Sequence, residues 1–441
     1  MGHALLLASD VKGNISSSSS TTAANARMLT TQSRQSAYRI VPDYVTRNAP
    51  LIWLHSEDPF RPSDLLEHIQ HTTPRIDRDR IPDLPPLDLD SLELLNNVSN
   101  GTSRVALTSN DDVTTWPSWI LGQTPDPSGR IANATACIVI LVEKSARDLD
   151  AFYFYFYSYD RGPNITQVME PLNRLIEDDG GGMHFGDHVG DWEHNMVRFH
   201  DGKPTGIYYS QHVDGSAFDW NDNGLTIQDD RPLVFSAYGS HANYESPGEH
   251  VHDSALIDYC DAGQLWDPML SANFYQLDPD AFALSRLALA DADDASEANQ
   301  TSFFYFKGRW GDIQYPDTDP RQKTVPHFGL KRFVTGPQGP IVKQLVRKDL
   351  FPDRRHKKPW VQWAVGIFMS WYPCCVRGWR IWMSATVVVV GILVMALCVR
   401  LGVKRLRQKQ TGYKRIDTEI PLNDMTMVDR QGRYREEESI G

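Results

Sequence analysis

The chain has 441 residues, of which 41% are hydrophobic and 23% are charged, and its formal net charge at pH 7 is -12. This composition is close to average globular usage, which excludes a wholly disordered chain, a collagen and a polytopic membrane protein. The negative charge would repel a phosphate backbone, so we expect no nucleic-acid partner.

The chain begins with a polar segment. Residues 1–36 are rich in Ser, Thr and Ala and include a run of five serines. This composition is too polar to bury a core, so we predict disorder there. A globular body is predicted over residues 38–350. Near its start, RPSDLLEHIQHTTP at 61–74 predicts a short helix with Ser63 at its N-cap and a proline at its end.

From residue 136 the pattern is typical of strands. ACIVILVE at 136–143 and AFYFYFYSYD at 151–160 predict a hairpin, whose second arm is aromatic on both faces and therefore covered on both sides. Further strands are predicted in DWEHNMVRF, PTGIYYSQH, RPLVFSAYGSH and TSFFYFKGRW, and helices in PNITQVMEPLNRLIEDD (163–179) and DPDAFALSRLALADAD (278–293). The predicted fold class is mainly β, an antiparallel β-sandwich with helical insertions, followed by one C-terminal transmembrane helix.

Nineteen residues without a charge, IWMSATVVVVGILVMALCV, lie between Arg380 and Arg400. At about 1.5 Å per residue they span the hydrocarbon layer of a bilayer. Tryptophans before them resemble an interfacial aromatic belt. We predict a transmembrane helix at 380–400, a basic, Trp-rich connector at 351–379 and a cytosolic tail at 401–441; a buried core helix is the alternative.

Two observations predict the orientation in the membrane. Basic residues are concentrated after the span, which places the tail in the cytosol and the body in a lumen or outside the cell. All six glycosylation sequons precede the span and favour the same orientation. They are Asn14, Asn97, Asn100, Asn133, Asn164 and Asn299. The N-terminal apolar run is only five residues, shorter than a secretory signal. We expect an incomplete N-terminal sequence, the alternative being late insertion with the body in the cytosol.

Two smaller features bear on the compartment. In the tail, Tyr413 and Ile416 form a Tyr-x-x-apolar tetrapeptide of the kind that clathrin adaptors read, although a solvated tail without a signal is the alternative. Cys137 and Cys260 could pair in an oxidising lumen. Cys137 lies in an apolar run, however, which is equally typical of a core thiol.

Histidines are concentrated in one part of the body. Eight of the 14 lie between positions 184 and 252, interleaved with acids and glycines. Within that stretch Asp191 and Glu193 are two apart, so they share one face of a predicted strand. Trp192 then points to the opposite face, where it can anchor the core.

Histidine side chains can join these two carboxylates. His188 lies in a predicted turn between Gly186 and Gly190, which allow the backbone to bend and to bring the imidazole ring over the first carboxylate. His241 ends another predicted strand and could close the cluster at one sheet edge. The predicted site therefore consists of two carboxylates and two imidazoles.

Two neighbouring carboxylates repel each other unless a cation or a proton lies between them. We therefore predict a metal site formed by His188, Asp191, Glu193 and His241. Oxygen-rich ligation favours a divalent cation such as Ca²⁺, Mg²⁺ or Mn²⁺, and Zn²⁺ fits less well. The alternatives are a metal-free hydrogen-bonded network and a general acid/base pair. Because histidines titrate in an acidic lumen, pH-dependent binding is a further hypothesis.

Three ordered blocks carry a family resemblance: NAPLIWLHSEDPFRPSDLLEHIQHTTP at 48–74, GDHVGDWEH at 186–194 and AYGSHANYE at 237–245. Together they resemble the fungal vacuolar protein sorting-associated protein 62 family, which also resembles uncharacterised plant proteins. The resemblance covers roughly 38–350. It implies a role in protein targeting to the vacuole and a location on a vacuolar or endosomal membrane.

A weaker resemblance links the second block to necrosis-inducing, cytolysin-like β-sandwich proteins. Their heptad Gly-His-Arg-His-Asp-Trp-Glu aligns with this chain so that His188 takes the place of the first histidine and Gly190 replaces the second. The resemblance implies that His188, Asp191 and Glu193 serve a cation. The missing second histidine and the membrane anchor oppose toxin activity.

The leading hypothesis is a non-enzymatic, single-pass membrane protein. Its β-sandwich would bind vacuolar cargo, a glycan or a lipid head group at the His/Asp/Glu site. A second hypothesis is a metal-dependent hydrolase in which Asp191 or Glu193 activates a metal-bound water. No nucleophile elbow, Gly-rich phosphate loop or paired CxxC supports an enzyme. A cytolysin-like glycan- or lipid-binding protein is a third hypothesis, and a purely structural scaffold is a fourth.

Overall fold

The structure, a computed structural model, describes residues 40–101, 104–164, 184–212, 214–251, 257–289, 300–324, 329–353 and 379–411. The chain divides into two units, Met1–Met369 and Ser370–Gly441. The first contains the β-rich body and the second contains one long helix, and each is described by itself.

The described part of the body consists mainly of short and medium-length strands. They are β1 (Leu51–Leu54), β2 (Thr72–Ile76), β3 (Asp79–Arg80), β4 (Val105–Ser109), β5 (Cys137–Glu143), β6 (Asp148–Asp160), β7 (His188–His200), β8 (Lys203–Gln211), β9 (Asp214–Asp219), β10 (Ile227–Gln228), β11 (Arg231–Ser236), β12 (Asn243–Tyr244), β13 (Gly248–Val251), β14 (Ile257–Cys260), β15 (Gln264–Trp266), β16 (Asn273–Asp278) and β17 (Ala283–Leu287).

The described helices of the body are short. The α-helices are α1 (Asp43–Arg47), α2 (Leu65–Gln70) and α3 (Ser302–Tyr305), and the longest 3-10 helix is Leu92–Gly101. Shorter 3-10 helices are Val113–Thr115, Ser118–Ile120, Pro268–Leu270 and Pro340–Val342. In the second unit α4 (Arg380–Thr411) is the long helix.

A seven-stranded sheet in the order β17-β16-β5-β6-β7-β8-β9 forms the centre of the body. The predicted hairpin of β5 and β6 is confirmed, with Cys137 opposite Tyr155. β6 continues into a long antiparallel pairing with β7, from Asp148 opposite His200 to Asp160 opposite His188. The pairing of β16 with β5 is parallel.

Both faces of the central sheet are covered, as the aromatic second arm of the hairpin predicts. On one face, Tyr153, Tyr155 and Tyr157 pack with Ile52 and Trp266 of a five-stranded sheet made of β10, β11, β1, β15 and β12, a cluster that we call the inter-sheet core. In that second sheet β1 and β11 run parallel.

The opposite face of the central sheet forms a second core, which we call the outer core. Phe152, Phe154 and Phe156 pack there with Leu107 and Phe303. A three-stranded sheet, β3-β2-β4, and the short helices supply this layer. The body is therefore a β-sandwich with an added layer, and the predicted mainly β fold class with helical insertions is confirmed.

Two element predictions in the C-terminal part of the body are wrong. The pattern at 278–293 predicts a helix, but this stretch contributes the β16–β17 hairpin. Asp278 Oδ1 accepts hydrogen bonds from the backbone N–H groups of Asp280 at 2.9 Å and Ala281 at 3.0 Å, and this turn chemistry reverses the chain. The expected strand in TSFFYFKGRW is the helical turn α3, which allows Phe303 and Phe304 to be buried together.

The predicted helix in 61–74 is present as α2, with a different cap. Asp64, not Ser63, occupies the N-cap and accepts a hydrogen bond from the backbone N–H of Glu67 at 2.8 Å. The Ser63 hydroxyl instead accepts a hydrogen bond from the backbone N–H of Ser158 at 3.0 Å, which joins this segment to β6. The predicted helix in 163–179 lies almost entirely outside the described residues.

Cys137 and Cys260 are free and buried. Cys137 lies in the inter-sheet core, and Cys260 lies in a separate cluster with Phe235 and Tyr244. The disulfide considered from the sequence is therefore absent, and the interpretation of Cys137 as a core thiol agrees with the structure.

The described residues contain one helix long and apolar enough to cross a membrane. It is the stretch Arg380–Arg407 of α4, whose 28 residues include 18 consecutive residues with a mean hydropathy of 2.5 that are not buried. The helix continues beyond the predicted limit at residue 400, to Thr411. At about 1.5 Å per residue, the helix is longer than the roughly 30 Å of a hydrocarbon layer.

Candidate metal centre

The candidate site lies where β6 ends and β7 begins. β7 is an interior strand of the central sheet, between β6 and β8. Its register with β8 covers only Asn195–His200, however, so residues 188–194 extend past the β8 pairing. The predicted sheet edge is thus the protruding end of an interior strand.

Successive side chains along β7 point to opposite faces of the central sheet, as the sequence predicts. Asp191 and Glu193 lie on the face that carries the tyrosines of the inter-sheet core, and only 6% and 4% of their surfaces are exposed. Trp192 lies on the opposite face, where its ring centroid is 4.8 Å from that of Phe156 and 5.2 Å from that of Trp310. The packing of this tryptophan fixes the direction of both carboxylates.

His188 is the first residue of β7 rather than part of a turn, but the flanking glycines have the predicted left-handed backbone, with φ of 90° at Gly186 and 71° at Gly190. The Nδ1 of His188 is 2.8 Å from the carbonyl oxygen of Gly190. Since a carbonyl only accepts hydrogen bonds, Nδ1 carries the proton.

The other imidazole nitrogen of His188 faces a carboxylate. Burial lowers the pKa of His188 and so favours the neutral ring, whose Nε2 then has a lone pair and no proton. That Nε2 lies 3.8 Å from Oδ2 of Asp160. The lone pair of Nε2 and the carboxylate of Asp160 at this distance favour a cation or a proton between them.

Asp160, Asp191 and His241 form a closer group. Each is buried, and one ligand atom from each lies within 4.8 Å of the others. Ligands of one ion at metal–ligand bonds of about 2.1–2.4 Å are separated by at most about twice that length. The spacing of the three donors therefore fits a single cation.

His241 links two of the acids around the group. Its Nδ1 is 3.1 Å from Oδ2 of Asp191, and its Nε2 is 3.5 Å from Oδ2 of Asp58. Its ring is stacked on Tyr157 with the centroids 3.7 Å apart. Burial lowers the pKa of His241, but the hydrogen bond to Asp191 and the charge of Asp58 outweigh burial and raise it. A proton on His241 can thus take the place of a metal, and metal binding would release it.

The pKa shifts of the carboxylates indicate that negative charge is in excess at this site. Burial and then the charge of Asp191 raise the pKa of Asp160 well above its usual range. The same two causes, in the same order, raise the pKa of Glu193 to about 7, although the Ser210 hydroxyl donates a hydrogen bond to its carboxylate. For Asp191 burial raises the pKa, but the hydrogen bond from His241 and the charge of His241 outweigh it, so the pKa is lowered.

A second buried network supports the loop that carries His241. The carboxylate of Asp258 accepts hydrogen bonds from the hydroxyls of Ser240 and Tyr244, both at 2.7 Å, and pairs with Nε2 of His212 at 2.8 Å. Burial raises the pKa of Asp258, but His212 outweighs it and holds the value at about 2. Burial lowers the pKa of His212, but Asp258 raises it to about 9.

We expect His212→Gln to lower the free energy of unfolding by roughly 3 kcal/mol at pH 6 and by much less above pH 9. The raised pKa of His212 makes its contribution complete below pH 6.5 and removes it as the pH rises through about 9. The depressed pKa of Asp258 removes its contribution only as the pH falls below its usual value toward about 2. Urea unfolding at pH 6 and pH 9.5 measures the difference.

His200→Gln is the matched control for that experiment. His200 also pairs with an aspartate, at 2.7 Å, but its side chain is 48% exposed. An exposed pair contributes little to stability. Equal losses for both variants, or a His212→Gln loss that is the same at both pH values, would contradict the buried ion pair.

The four site residues predicted from the sequence differ in how close they lie to the three-donor group. Asp191 and His241 belong to the three-donor group, and His188 adjoins it through Asp160. Glu193 lies next along β7, with its carboxylate bonded to Ser210. Asp160, which ends the aromatic strand AFYFYFYSYD, was not among the residues predicted from the sequence. The sequence signal that could have indicated this site residue is an acidic side chain at the end of a buried strand.

The predicted glycosylation sites differ in exposure, and some of them lie outside the described residues. Asn97 and Asn133 are exposed, and Asn164 is half-buried. Asn100 lies in the 3-10 helix Leu92–Gly101, with only its backbone described. The remaining sequons and the tail signal, which are Asn14, Asn299, Tyr413 and Ile416, lie outside the described residues.

Known proteins resemble the stretch of chain that carries the site. A family model described as vacuolar protein sorting-associated protein 62 matches residues 182–260. Vacuolar protein sorting-associated protein 62 of Saccharomyces cerevisiae is 35% identical over 341 residues, 70% of this chain and 67% of the yeast protein. The chain belongs to the vacuolar protein sorting-associated protein 62 family.

A second yeast protein agrees with membership in the vacuolar protein sorting-associated protein 62 family. It is TDA6 of Saccharomyces cerevisiae, a candidate vacuolar protein sorting-associated protein, 34% identical over 342 residues, 70% of this chain and 68% of its own length. The resemblance carried by the three sequence blocks is confirmed. The stretch that the family model matches includes His188, Asp191, Glu193 and His241.

Solved structures of necrosis-inducing proteins are similar in part to this member of the vacuolar protein sorting-associated protein 62 family. Necrosis and Ethylene inducing Protein 2 from the causal agent of cocoa's Witches Broom disease has 14% identity and a TM-score of 0.22, covering 47% of this chain and 68% of its own. The non-toxic HaNLP3 protein has 12% identity and a TM-score of 0.25, covering 53% and 76%. Such scores are too low to transfer a site or an activity to this chain.

Proposed function

We propose that this member of the vacuolar protein sorting-associated protein 62 family is a single-pass membrane protein that acts in protein targeting to the vacuole. Its body would bind cargo or another ligand at a divalent cation. The observation that carries the proposal is the buried group of Asp160, Asp191 and His241, with Nε2 of His188 3.8 Å from Oδ2 of Asp160.

The donor set supports a cation of the oxygen-preferring kind. Two carboxylates and one imidazole suit Mn²⁺, and Mg²⁺ or Ca²⁺ if water completes the shell; Zn²⁺ fits less well. Asp160, Asp191 and His241 would hold the ion, and His188 is placed to join them. The cation would offset the excess negative charge and present a positive site for an oxygen ligand.

The family and the apolar helix also support a membrane location in the vacuolar or endosomal system. We propose that the body is lumenal, because basic residues follow the span and the exposed Asn133 is available for glycosylation. The tail would then be cytosolic, where Tyr413 and Ile416 could be read by a clathrin adaptor. Vacuolar delivery through the endosomal route would follow.

Complementation tests the proposed function. In yeast lacking both relatives, we expect the full chain to restore retention of a soluble vacuolar hydrolase and Asp191→Asn to lose most of that restoration. Asp312→Asn is the matched control, since Asp312 is 7% exposed and bonds to the backbone N–H of Ser109. Endoglycosidase sensitivity of the same protein, with a smaller mass shift in Asn133→Gln because one glycan is lost, reports a lumenal body.

Two outcomes would contradict the proposal. Failure of the wild-type chain to restore retention, at an expression level equal to that of the yeast protein, would oppose the vacuolar role. Full restoration by Asp191→Asn would separate that role from the cation site.

A further inference from the structure

The central sheet carries an open cavity where β8 begins and β9 ends. Its volume is about 460 Å³, in the range of small-molecule sites, and it is lined by Pro204, Thr205, Asp219, Trp220, Asn221 and Asp222. Pro204 pairs with Phe199, which is eight residues along β7 from Asp191. At about 3.3 Å per residue this separation is roughly 26 Å. The cavity is therefore distinct from the three-donor group.

Trp220 supplies the aromatic part of this cavity. It is half-buried, because part of its side chain packs against the inter-sheet core, and its backbone N–H donates to the carbonyl oxygen of Thr205 at 3.0 Å. The part that the core leaves uncovered lines the cavity. Within the described part of the chain its indole N–H makes no hydrogen bond. Trp220 therefore offers a flat surface that loses little conformational freedom when a ligand binds.

Hydrogen-bonding side chains line the same cavity. Asp219 and Asn221, which precede and follow the tryptophan, are exposed, and among the described residues their side chains have no hydrogen-bond partner. Asp222 uses Oδ1 to accept a hydrogen bond from the backbone N–H of Gly224 at 2.8 Å, which leaves Oδ2 available. A carboxylate can accept from two hydroxyls, and a side-chain amide both donates and accepts. Polar groups are thus available beside the flat apolar surface.

The charge of the lining restricts the class of ligand. Two of the six lining residues are aspartates and none is basic, so an anion such as a phosphate or a uronate is repelled. A quaternary ammonium is usually surrounded by several aromatic faces, and this cavity has one. A neutral sugar ring meets both conditions. Its C–H groups, which carry partial positive charge, match the negative face of the indole, and its hydroxyls donate to carboxylates.

We propose that this cavity binds a neutral hexopyranose, with a C–H face of the sugar on Trp220 and neighbouring hydroxyls on Asp219 and Asn221. The cavity is a second binding site of the body, and it needs no metal ion. The sugar is either free or the terminal residue of a glycan on a protein, because the ring that is recognised is the same. The inference goes beyond the proposed function and does not depend on the cation site.

Saturation-transfer NMR on the full chain, in EDTA and in a detergent without sugar groups, tests the inference. The probes are methyl α-mannopyranoside, methyl α-glucopyranoside and glucuronate. We expect at least one of the two neutral probes to bind with a millimolar Kd, as one stacked ring and a few hydrogen bonds allow. Glucuronate should bind at least about tenfold more weakly than the better neutral probe, because Asp219 and Asp222 repel its carboxylate.

Two variants locate the sugar, each with a matched control. Trp220→Ala should weaken binding about tenfold or more, and Trp220→Phe should recover part of the loss. Asp219→Ala should weaken binding about fivefold or more and keep the melting temperature of the wild type, since its side chain has no internal partner to lose. Trp116→Ala and Asp90→Ala are the controls, because both residues are exposed and neither lines the cavity. They should bind the neutral probes like the wild type.

The inference is overturned if neither neutral probe binds at about 100 mM, or if binding occurs only without EDTA, which would assign the sugar to a metal ion. Unchanged binding in both Trp220→Ala and Asp219→Ala, or tighter binding of choline than of either sugar, would also overturn it. A chain that binds the sugar but no Mn²⁺ would contradict the proposed cation site alone. Ribonuclease B and its unglycosylated form, ribonuclease A, distinguish a protein-linked glycan from a free sugar.

Discussion

Asp191→Asn is expected to abolish the stabilisation of the body by a divalent cation. A cation at about 1,000 times its Kd stabilises the folded state by about 4 kcal/mol. For a domain of this size that raises the melting temperature by about 8 °C. Asp191 is 6% exposed and lies in the three-donor group, so its amide variant loses the negative charge and one of the two carboxylate oxygens. The expected cation-induced shift in the variant is close to zero.

The measurement is thermal unfolding of EDTA-treated full chain in detergent, before and after addition of Mn²⁺ or Ca²⁺. Asp312→Asn controls for the loss of a buried carboxylate, because Asp312 bonds to Ser109 and is absent from the donor group. It should keep the full cation-induced shift. A shift of equal size in wild type and Asp191→Asn would show that the cation acts elsewhere.

Gly190→Ala should lower the free energy of unfolding by more than about 3 kcal/mol. Gly190 has a φ of 71°, and a Cβ there would lie 2.1 Å from the backbone carbonyl oxygen of Trp310. Backbone cannot yield as a flexible side chain can, and the Trp310 ring packs against Trp192 at 5.2 Å. The carbonyl of Gly190 also fixes Nδ1 of His188. Both stability and cation affinity should therefore fall together.

Gly186→Ala is the matched control for this glycine. Its φ is 90°, but no atom lies within 4 Å of the position of a Cβ. Only backbone strain is added, so we expect a loss of roughly 1–2 kcal/mol. Urea unfolding in EDTA measures both variants. Equal losses would contradict the argument that close packing on Trp310 sets the position of His188.

Local patterns predicted the parts of the fold that depend on neighbouring residues. The apolar and aromatic runs gave β5 and β6 and their turn, since a hairpin needs only short-range pairing. Asp191 and Glu193 could be assigned to one face of a strand and Trp192 to the opposite face, because successive side chains of a strand alternate between faces. The glycines at 186 and 190 have the positive φ that their positions suggested.

Features that depend on contacts between residues far apart in the sequence could not be predicted from local patterns. Asp160 belongs to the site because it lies opposite His188, but residues 161–187 separate them, so no turn signal fixes the register. Asp58 approaches His241 only through tertiary contact. The wrong helix at 278–293 shows the same limit, since Leu284 and Leu287 fit helical spacing and also become buried in a strand.

Titration of the EDTA-treated full chain with Mn²⁺, followed by electron paramagnetic resonance, tests the cation site most directly. The account predicts about one tightly bound Mn²⁺ per chain, a coordinated imidazole nitrogen in its spectrum, and loss of that binding in both Asp160→Asn and Asp191→Asn. A wild-type chain that leaves all the Mn²⁺ free in solution, or that binds it equally well in both variants, would contradict the account.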